Sequence, residues 1–158
     1  MELRIAYNRL FLGDAELVEW SCAQSHCPAH FHRILCASLS PNGRFIVSMD
    51  AGSQLKLWHL GKSRLEQRIY ETILGGPDAT VVAINDRLSR IAVVQGSGVS
   101  ILTSSGWMTF RIGGSVQMTS ESPVIAMVWR DEDNLVCRDA TDKETVITNV
   151  PPWLVSQK

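Results

Sequence analysis

Short apolar segments alternate with polar turn segments along most of the chain. In the clearest stretch, the apolar run 34–39 precedes Ser-Pro-Asn-Gly at 40–43, a second apolar run at 45–49 and another turn at 50–53. Proline presets φ and Asn-Gly tolerates left-handed backbone, so such turns suit tight reversals between strands. No long stretch keeps the helical period of about 3.6 residues. The pattern therefore predicts an all-β fold.

The strand pattern also repeats. The first strand of each unit begins at Ile34, Val81 and Val124, which gives a period of about 43 to 47 residues, near that of a four-stranded propeller blade. The inner strands are apolar on both faces, as expected for sheets that stack against neighbours on each side. The expected units are a partial blade at 1–29, three blades at 30–74, 75–115 and 116–150, and a tail at 151–158.

The segment 30–60 resembles one repeat of the WD-repeat β-propeller family. Counted back from the Ser-Pro-Asn-Gly turn, His30 falls at the family's histidine position. Trp58 falls at its tryptophan position, with His59 in place of the usual aspartate. The neighbouring units match the family pattern less well. The resemblance implies WD40-like blades, about three to four four-stranded antiparallel sheets, that form an incomplete propeller.

In this family a hydrogen-bonded set joins a histidine, a strand serine or threonine, a tryptophan and a turn aspartate within one blade. Matched by position, the resemblance implies a set made of His30, Ser48, Asp50 and Trp58. The turn is one residue longer here than in the family, so Asp50 is the least closely matched member. Such a network would satisfy buried polar groups and fix the register of the blade, a structural role without chemistry.

Charge and hydropathy exclude several classes of partner. The net charge is −1, from 15 basic and 16 acidic residues spread along the chain, so no basic stripe indicates a nucleic-acid partner. The N-terminus has an acid where a secretory leader needs basic residues, which favours a cytoplasmic protein with reduced cysteines. The uncharged run 91–110 is interrupted by two polar turn clusters, which indicates strands and no direct membrane insertion.

A cluster of cysteines and histidines carries the alternative function, a metal-binding regulatory module. Zinc takes four sulfur or nitrogen ligands, and this segment holds enough of them. Known fingers separate two ligand pairs by a dozen or more residues, a gap that is missing here, and two of the six residues already have places in the repeat. The cluster consists of Cys22, His26, Cys27, His30, His32 and Cys36.

No residue pattern indicates an enzyme or a cofactor. Gly96-Ser97-Gly98 lacks the lysine and helix of a phosphate loop, and the sequence assigns no partner to any histidine for a catalytic triad. Trp107 and Trp153 are candidate partner-binding residues, because tryptophan is enriched in interface hot spots. We therefore expect a non-enzymatic protein-interaction scaffold within a larger multi-subunit assembly or tethering complex.

The number of blades bears on the partner. Propellers close with about four to eight blades, so the units counted here would leave sheet edges open. We expect the chain to be part of a longer protein, or to complete its propeller with another chain or a missing segment.

Overall fold

The computed structural model describes residues 2–18, 28–61, 65–104, 110–117, 122–131 and 133–148. These residues form fourteen β-strands and, within those ranges, no helix. The all-β prediction is confirmed. The strands are β1 (Leu3–Ala6), β2 (Arg9–Leu12), β3 (Ala15–Leu17), β4 (Ile34–Leu39), β5 (Phe45–Asp50), β6 (Gln54–Leu60), β7 (Leu65–Ile73), β8 (Ala79–Ile84), β9 (Arg90–Gln95), β10 (Gly98–Ser104), β11 (Phe110–Gln117), β12 (Val124–Trp129), β13 (Asn134–Asp139) and β14 (Glu144–Thr148).

The strands form four antiparallel sheets, each a meander of consecutive strands. The first sheet is β1-β2-β3, the second β4-β5-β6-β7, the third β8-β9-β10-β11 and the fourth β12-β13-β14. The first strand of each sheet contacts the first strand of the next sheet, from β1 to β4, β8 and β12. The sheets therefore stack in chain order along their first strands.

The observed bounds differ in detail from the expected units. β11 ends at Gln117, two residues past the predicted limit of 115. The last strand of the second sheet, β7, begins at Leu65 and ends at Ile73. Its apolar residues are interrupted by charged ones, so its hydrophobic pattern is weaker than that of the inner strands, and its pairing with β6 contains two register shifts.

Adjacent residues of the central strands pack into different interfaces. On β5, Ile46 faces the first sheet and Val47 the third, and both are fully buried. On β9, Ile91 faces the second sheet whereas Ala92 faces the fourth. Successive side chains of a strand point to opposite faces, so a sheet covered on both sides needs apolar residues at consecutive positions. Burial of each large aliphatic side chain contributes about 1.5–3 kcal/mol.

Hydrogen bonds between sheets fix their relative position. The Ser38 hydroxyl donates to the Val82 carbonyl over 2.8 Å and joins the second sheet to the third. The indole N–H of Trp129 donates to the Ala83 carbonyl over 3.2 Å and joins the fourth sheet to the third. Trp129 is 2% exposed, so this bond satisfies a donor that burial would otherwise leave unpaired.

The uncharged run 91–110 forms strands where the structure describes it. β9 and β10 are separated by a turn at Gly96 and Ser97, and Gly96 has φ of 64°. In the described ranges, no helix is long and apolar enough to cross a membrane.

Two glycines allow the strain of the β4–β5 turn to be measured. A Cβ at Gly43 would meet no atom within 4 Å, but its φ of 75° is unfavourable for any other residue. Gly75 offers the same open space without a left-handed backbone. We expect Gly43→Ala to lower the free energy of unfolding by about 1–2 kcal/mol, and Gly75→Ala to change it by less than about 0.5 kcal/mol. Urea unfolding measures both, and equal effects would contradict the assignment of strain.

Candidate interaction site

The structure brings His30 between two polar side chains of β5. Its Nδ1 lies 2.8 Å from Oδ2 of Asp50, and its Nε2 lies 2.6 Å from Oγ of Ser48. Ser48 and Asp50 are two positions apart on one strand and therefore point to the same face. The ring of Trp58, on the neighbouring strand β6, meets the His30 ring edge-on with centroids 5.6 Å apart. We call these four residues the His30 network.

Burial and hydrogen bonding define the protonation of the His30 network. Desolvation lowers the pKa of His30, although the hydrogen bond and the charge of Asp50 oppose the shift. The imidazole is therefore neutral at physiological pH. Because a carboxylate only accepts, Nδ1 carries the hydrogen and donates to Asp50, whereas Nε2 accepts from the Ser48 hydroxyl. The side chains of Ser48, His30 and Asp50 are therefore joined by one continuous chain of hydrogen bonds.

The Asp50 carboxylate also closes the turn between β5 and β6. Its Oδ1 accepts hydrogen bonds from the backbone amides of Gly52, at 2.8 Å, and Gln54, at 3.0 Å. The Asp139 carboxylate accepts in the same way from Thr141 and Lys143 in the fourth sheet. The extra residue in the turn therefore does not separate Asp50 from His30, because the aspartate itself organises the longer turn.

Ser48, His30 and Asp50 are hydrogen-bonded in the same order as the serine, histidine and aspartate of a hydrolase triad. The sequence alone assigned no triad partner to any histidine. Nucleophilic catalysis requires that the serine oxygen reach a substrate carbonyl. Ser48 is 0% exposed, and the side chains of His30 and Asp50 are buried as well. The arrangement therefore satisfies polar groups inside the sheet and offers no access to a substrate.

The segment that contains His30 is hydrogen-bonded to the strands around it. This segment, residues 28–33, precedes β4 and crosses the turn between β1 and β2. Hydrogen bonds join this segment, or Ile34 directly after it, to both the first and the second sheet. The hydrogen bonds are His30 N to Asn8 O (3.2 Å), Ile34 N to Tyr7 O (2.7 Å), Ala51 N to Arg33 O (2.8 Å) and Lys56 Nζ to Ala29 O (2.9 Å).

Exposed aromatic side chains project from the segment 28–33 and from the neighbouring β1–β2 turn. Phe31 is 85% exposed and contacts His32 edge-on, with ring centroids 5.4 Å apart. Tyr7, in the β1–β2 turn, is 70% exposed and has φ of 57°, which is rare for an aromatic residue. The His32 ring lies so close to Gly52 that a Cβ there would come within 2.5 Å of it. We call Tyr7, Phe31, His32 and the exposed Arg33 the aromatic patch.

The aromatic patch was not predicted from the sequence. Phe31 stands between two histidines in a polar loop, and an isolated apolar residue there carries no periodic signal. Its neighbour His30 was matched to a buried position, which is the only sequence feature that marks the loop as fixed. The candidate partner-binding residues Trp107 and Trp153 both lie outside the described residues.

The Cys/His cluster is only partly described. Cys22, His26 and Cys27 lie outside the described residues. His30 is occupied by the network, His32 is exposed, and burial raises the pKa of the Cys36 thiol to about 12. A metal needs the thiolate, which such a pKa disfavours. Within the described ranges, no three His, Cys, Asp or Glu side chains are grouped to hold a metal.

A second feature is a cleft of about 440 Å³ between the third and fourth sheets. Its acidic side is already hydrogen-bonded: Asp131 accepts from the amide and backbone of Asn134, and these bonds lower its pKa. None of the residues around the cleft is a serine, cysteine or histidine. The lining residues are Asn85, Asp86, Arg87, Trp129, Arg130, Asp131, Asp133 and Asn134.

The stacked meander sheets define an all-β, propeller-like protein. Among solved structures, the chain is similar to Hsv2 of Kluyvelomyces marxianus, a WD40-like β-propeller of the PROPPIN class, with a TM-score of 0.58 and 12% sequence identity. The match covers 76% of this chain and 34% of that one, so this chain spans about a third of the length of Hsv2. At this identity the likeness concerns the fold. No protein-family model matches the sequence, and no curated protein matches it either.

The lowered pKa of His30 predicts a dependence of stability on pH. The unfolded chain binds a proton at the ordinary histidine pKa of about 6.5, whereas the folded chain binds it only at lower pH. Stability is therefore full above about pH 6.5 and decreases as the pH falls through the interval below it. We expect the melting temperature to fall between pH 7 and pH 5, and to fall less in His30→Asn. His32→Asn is the control. An equal fall in wild type and His30→Asn would contradict this assignment.

Proposed function

We propose that this chain is a WD-repeat propeller segment that acts as a non-enzymatic scaffold for protein binding. The setting we propose is a larger cytoplasmic assembly, such as a multi-subunit or tethering complex. The repeat at 30–60 and the His30 network support the family assignment, and the likeness to a propeller structure supports the fold on which it rests. The fold alone does not define an activity, so the function has to be argued from the surface.

The observation that carries the proposal is the exposure of Phe31 on a fixed segment. The Phe31 side chain is 85% exposed, so covering its ring with a partner would remove apolar surface from water, which favours binding. The hydrogen bonds to the first and second sheets already hold its backbone, so little conformational entropy is lost on binding. Aromatic residues and arginine are enriched at interface cores, and the patch offers Tyr7, Phe31 and Arg33 together.

The chemistry of the patch suggests the kind of partner. Apolar rings would insert into an apolar pocket of a protein surface, and Arg33 would pair with a carboxylate near the rim of that pocket. Burial of Ser48 and the raised thiol pKa of Cys36 leave neither of these two side chains available to attack a substrate. We therefore propose binding without catalysis.

Partner capture tests this proposal. Tagged wild-type chain, Phe31→Ala and Tyr7→Ala are incubated with extract of the source cells, and the retained proteins are quantified by mass spectrometry. We expect each substitution to lower retention of the specific partners by about tenfold, as truncation of a hot-spot residue does.

The matched control is Ile73→Ala, which truncates a side chain of comparable exposure, 72%, on the last strand of the second sheet. It should retain the partners at the wild-type level. If the wild type retains nothing above background, or if Ile73→Ala loses the same proteins as Phe31→Ala, the aromatic patch is not the binding site.

A further inference from the structure

The turn between β4 and β5 contains the dipeptide Asn42-Gly43, which has no part in the aromatic patch or the His30 network. Both residues are exposed, and Gly43 has φ of 75°. Asparagine is chemically labile when glycine follows it, because the glycine nitrogen can reach the side-chain carbonyl carbon without hindrance from a side chain of its own. The turn therefore holds both groups that deamidation requires.

Deamidation at this turn would proceed in two steps. In the first, the Gly43 nitrogen loses its hydrogen and forms a bond to Cγ of Asn42, while the bond from Cγ to Nδ2 breaks and Nδ2 leaves as ammonia. The product is a succinimide ring. In the second, water opens the ring at either of its carbonyl carbons, which leaves aspartate or isoaspartate at this position. Water from the solvent is the only co-reactant.

Hydrogen bonds within the turn oppose the first step. The Gly43 N–H donates to the Ser40 carbonyl over 2.9 Å, which directs its peptide plane towards Ser40. Oδ1 of Asn42 accepts from the Ser40 hydroxyl at 2.6 Å and from the Arg44 amide at 3.0 Å. Because the attack needs aligned atoms, the Gly43 peptide plane has to rotate and give up its bond to Ser40. The reaction therefore requires local opening of the turn.

A further hydrogen bond ties the same turn to the third sheet. The backbone N–H of Asn42 donates to Oδ1 of Asp86 over 2.7 Å, and Asp86 lies in the turn between β8 and β9. This bond holds the residue that would react and also crosses the interface between two sheets. We propose that Asn42 is a deamidation site that these hydrogen bonds protect, and that its isoaspartate product loosens the contact between the second and third sheets.

Aspartate at position 42 would preserve the turn. Other turns of the described structure already use an aspartate oxygen to accept from the backbone amide two residues later, as Asn42 does from Arg44. The added charge lies at an exposed position, where water and salt screen it from Asp86. The aspartates that accept in this way are Asp50, Asp131 and Asp139.

Isoaspartate would distort the turn. The main chain then runs through the former side chain and is longer by one carbon between the Asn42 N–H and the Gly43 nitrogen. The bonds from Asn42 to Asp86 and from Gly43 to Ser40 cannot both keep their present geometry in the lengthened turn. The contact with the third sheet is therefore weakened by one product of the reaction and retained by the other.

Deamidation kinetics of the whole chain test the protection. Folded chain and urea-unfolded chain are incubated in mildly alkaline buffer, and peptide mapping by mass spectrometry follows the conversion of Asn42. We expect conversion to be more than about tenfold slower in the folded chain. Asn8, which precedes arginine, is the internal control and should remain unmodified in both states. Equal rates in the two states would overturn the protection, and an unreactive Asn42 in urea would overturn the assignment of the site.

Substitution of Asp86 tests the role of the bond between the sheets. Asp86→Ala removes the acceptor of the Asn42 N–H and should raise the folded-state rate several-fold. Asp86→Asn removes the charge but keeps an oxygen acceptor, so its rate should stay near that of the wild type. Asp78→Ala is the matched control, because Asp78 is also exposed and lies at the opposite end of β8. If Asp86→Ala reacts no faster than Asp78→Ala, this bond does not protect the site.

The consequence for the interface is measured on the products themselves. Asn42→Asp supplies the aspartate product directly and should melt like the wild type. The isoaspartate product is isolated from aged chain by chromatography and should show faster amide exchange in β4 and β8, which contact each other across the interface. An isoaspartate form with the same exchange as Asn42→Asp would contradict the proposed loosening.

Discussion

The structure depends on the burial of sheet faces against neighbouring sheets. A sheet of three or four short strands cannot cover either of its own faces, so each gains stability only when another sheet packs on it. The second and third sheets are covered on both sides, and their strands are accordingly apolar at consecutive positions, as Ile91, Ala92 and Val93 illustrate. This requirement explains the repeating apolar runs along the chain.

The His30 network has a different task from the apolar interfaces. It joins the segment before β4 to β5 and β6 through a buried histidine, so that the backbone of this segment has one position relative to the second sheet. Buried hydrogen bonds of this kind add specificity because each group is costly to leave unpaired. Most of the aromatic patch belongs to this segment. The His30 network joins the segment to the second sheet, and backbone hydrogen bonds to Tyr7 and Asn8 join it to the first sheet.

Much of the fold could be predicted from local sequence features. The Ser-Pro-Asn-Gly turn and the apolar runs around it located β4 and β5, and the repeat resemblance brought His30, Ser48 and Asp50 to one place. Exposure of Phe31 could not be predicted, because it depends on contacts between the loop and the first sheet. The cross-strand alignment of Val128, Val136 and Val146 could not be predicted either, since these three residues come together only through strand register.

Native-state amide hydrogen exchange of Ile91→Ala measures the dependence of one sheet on the next most directly. Ile91 is 0% exposed and packs between the second and third sheets, so its truncation should cost about 2–4 kcal/mol. If the sheets stabilise each other, exchange should accelerate in β5 of the second sheet as well as in β9, where the substitution lies. Acceleration confined to the third sheet, with β5 protected as in the wild type, would contradict the account.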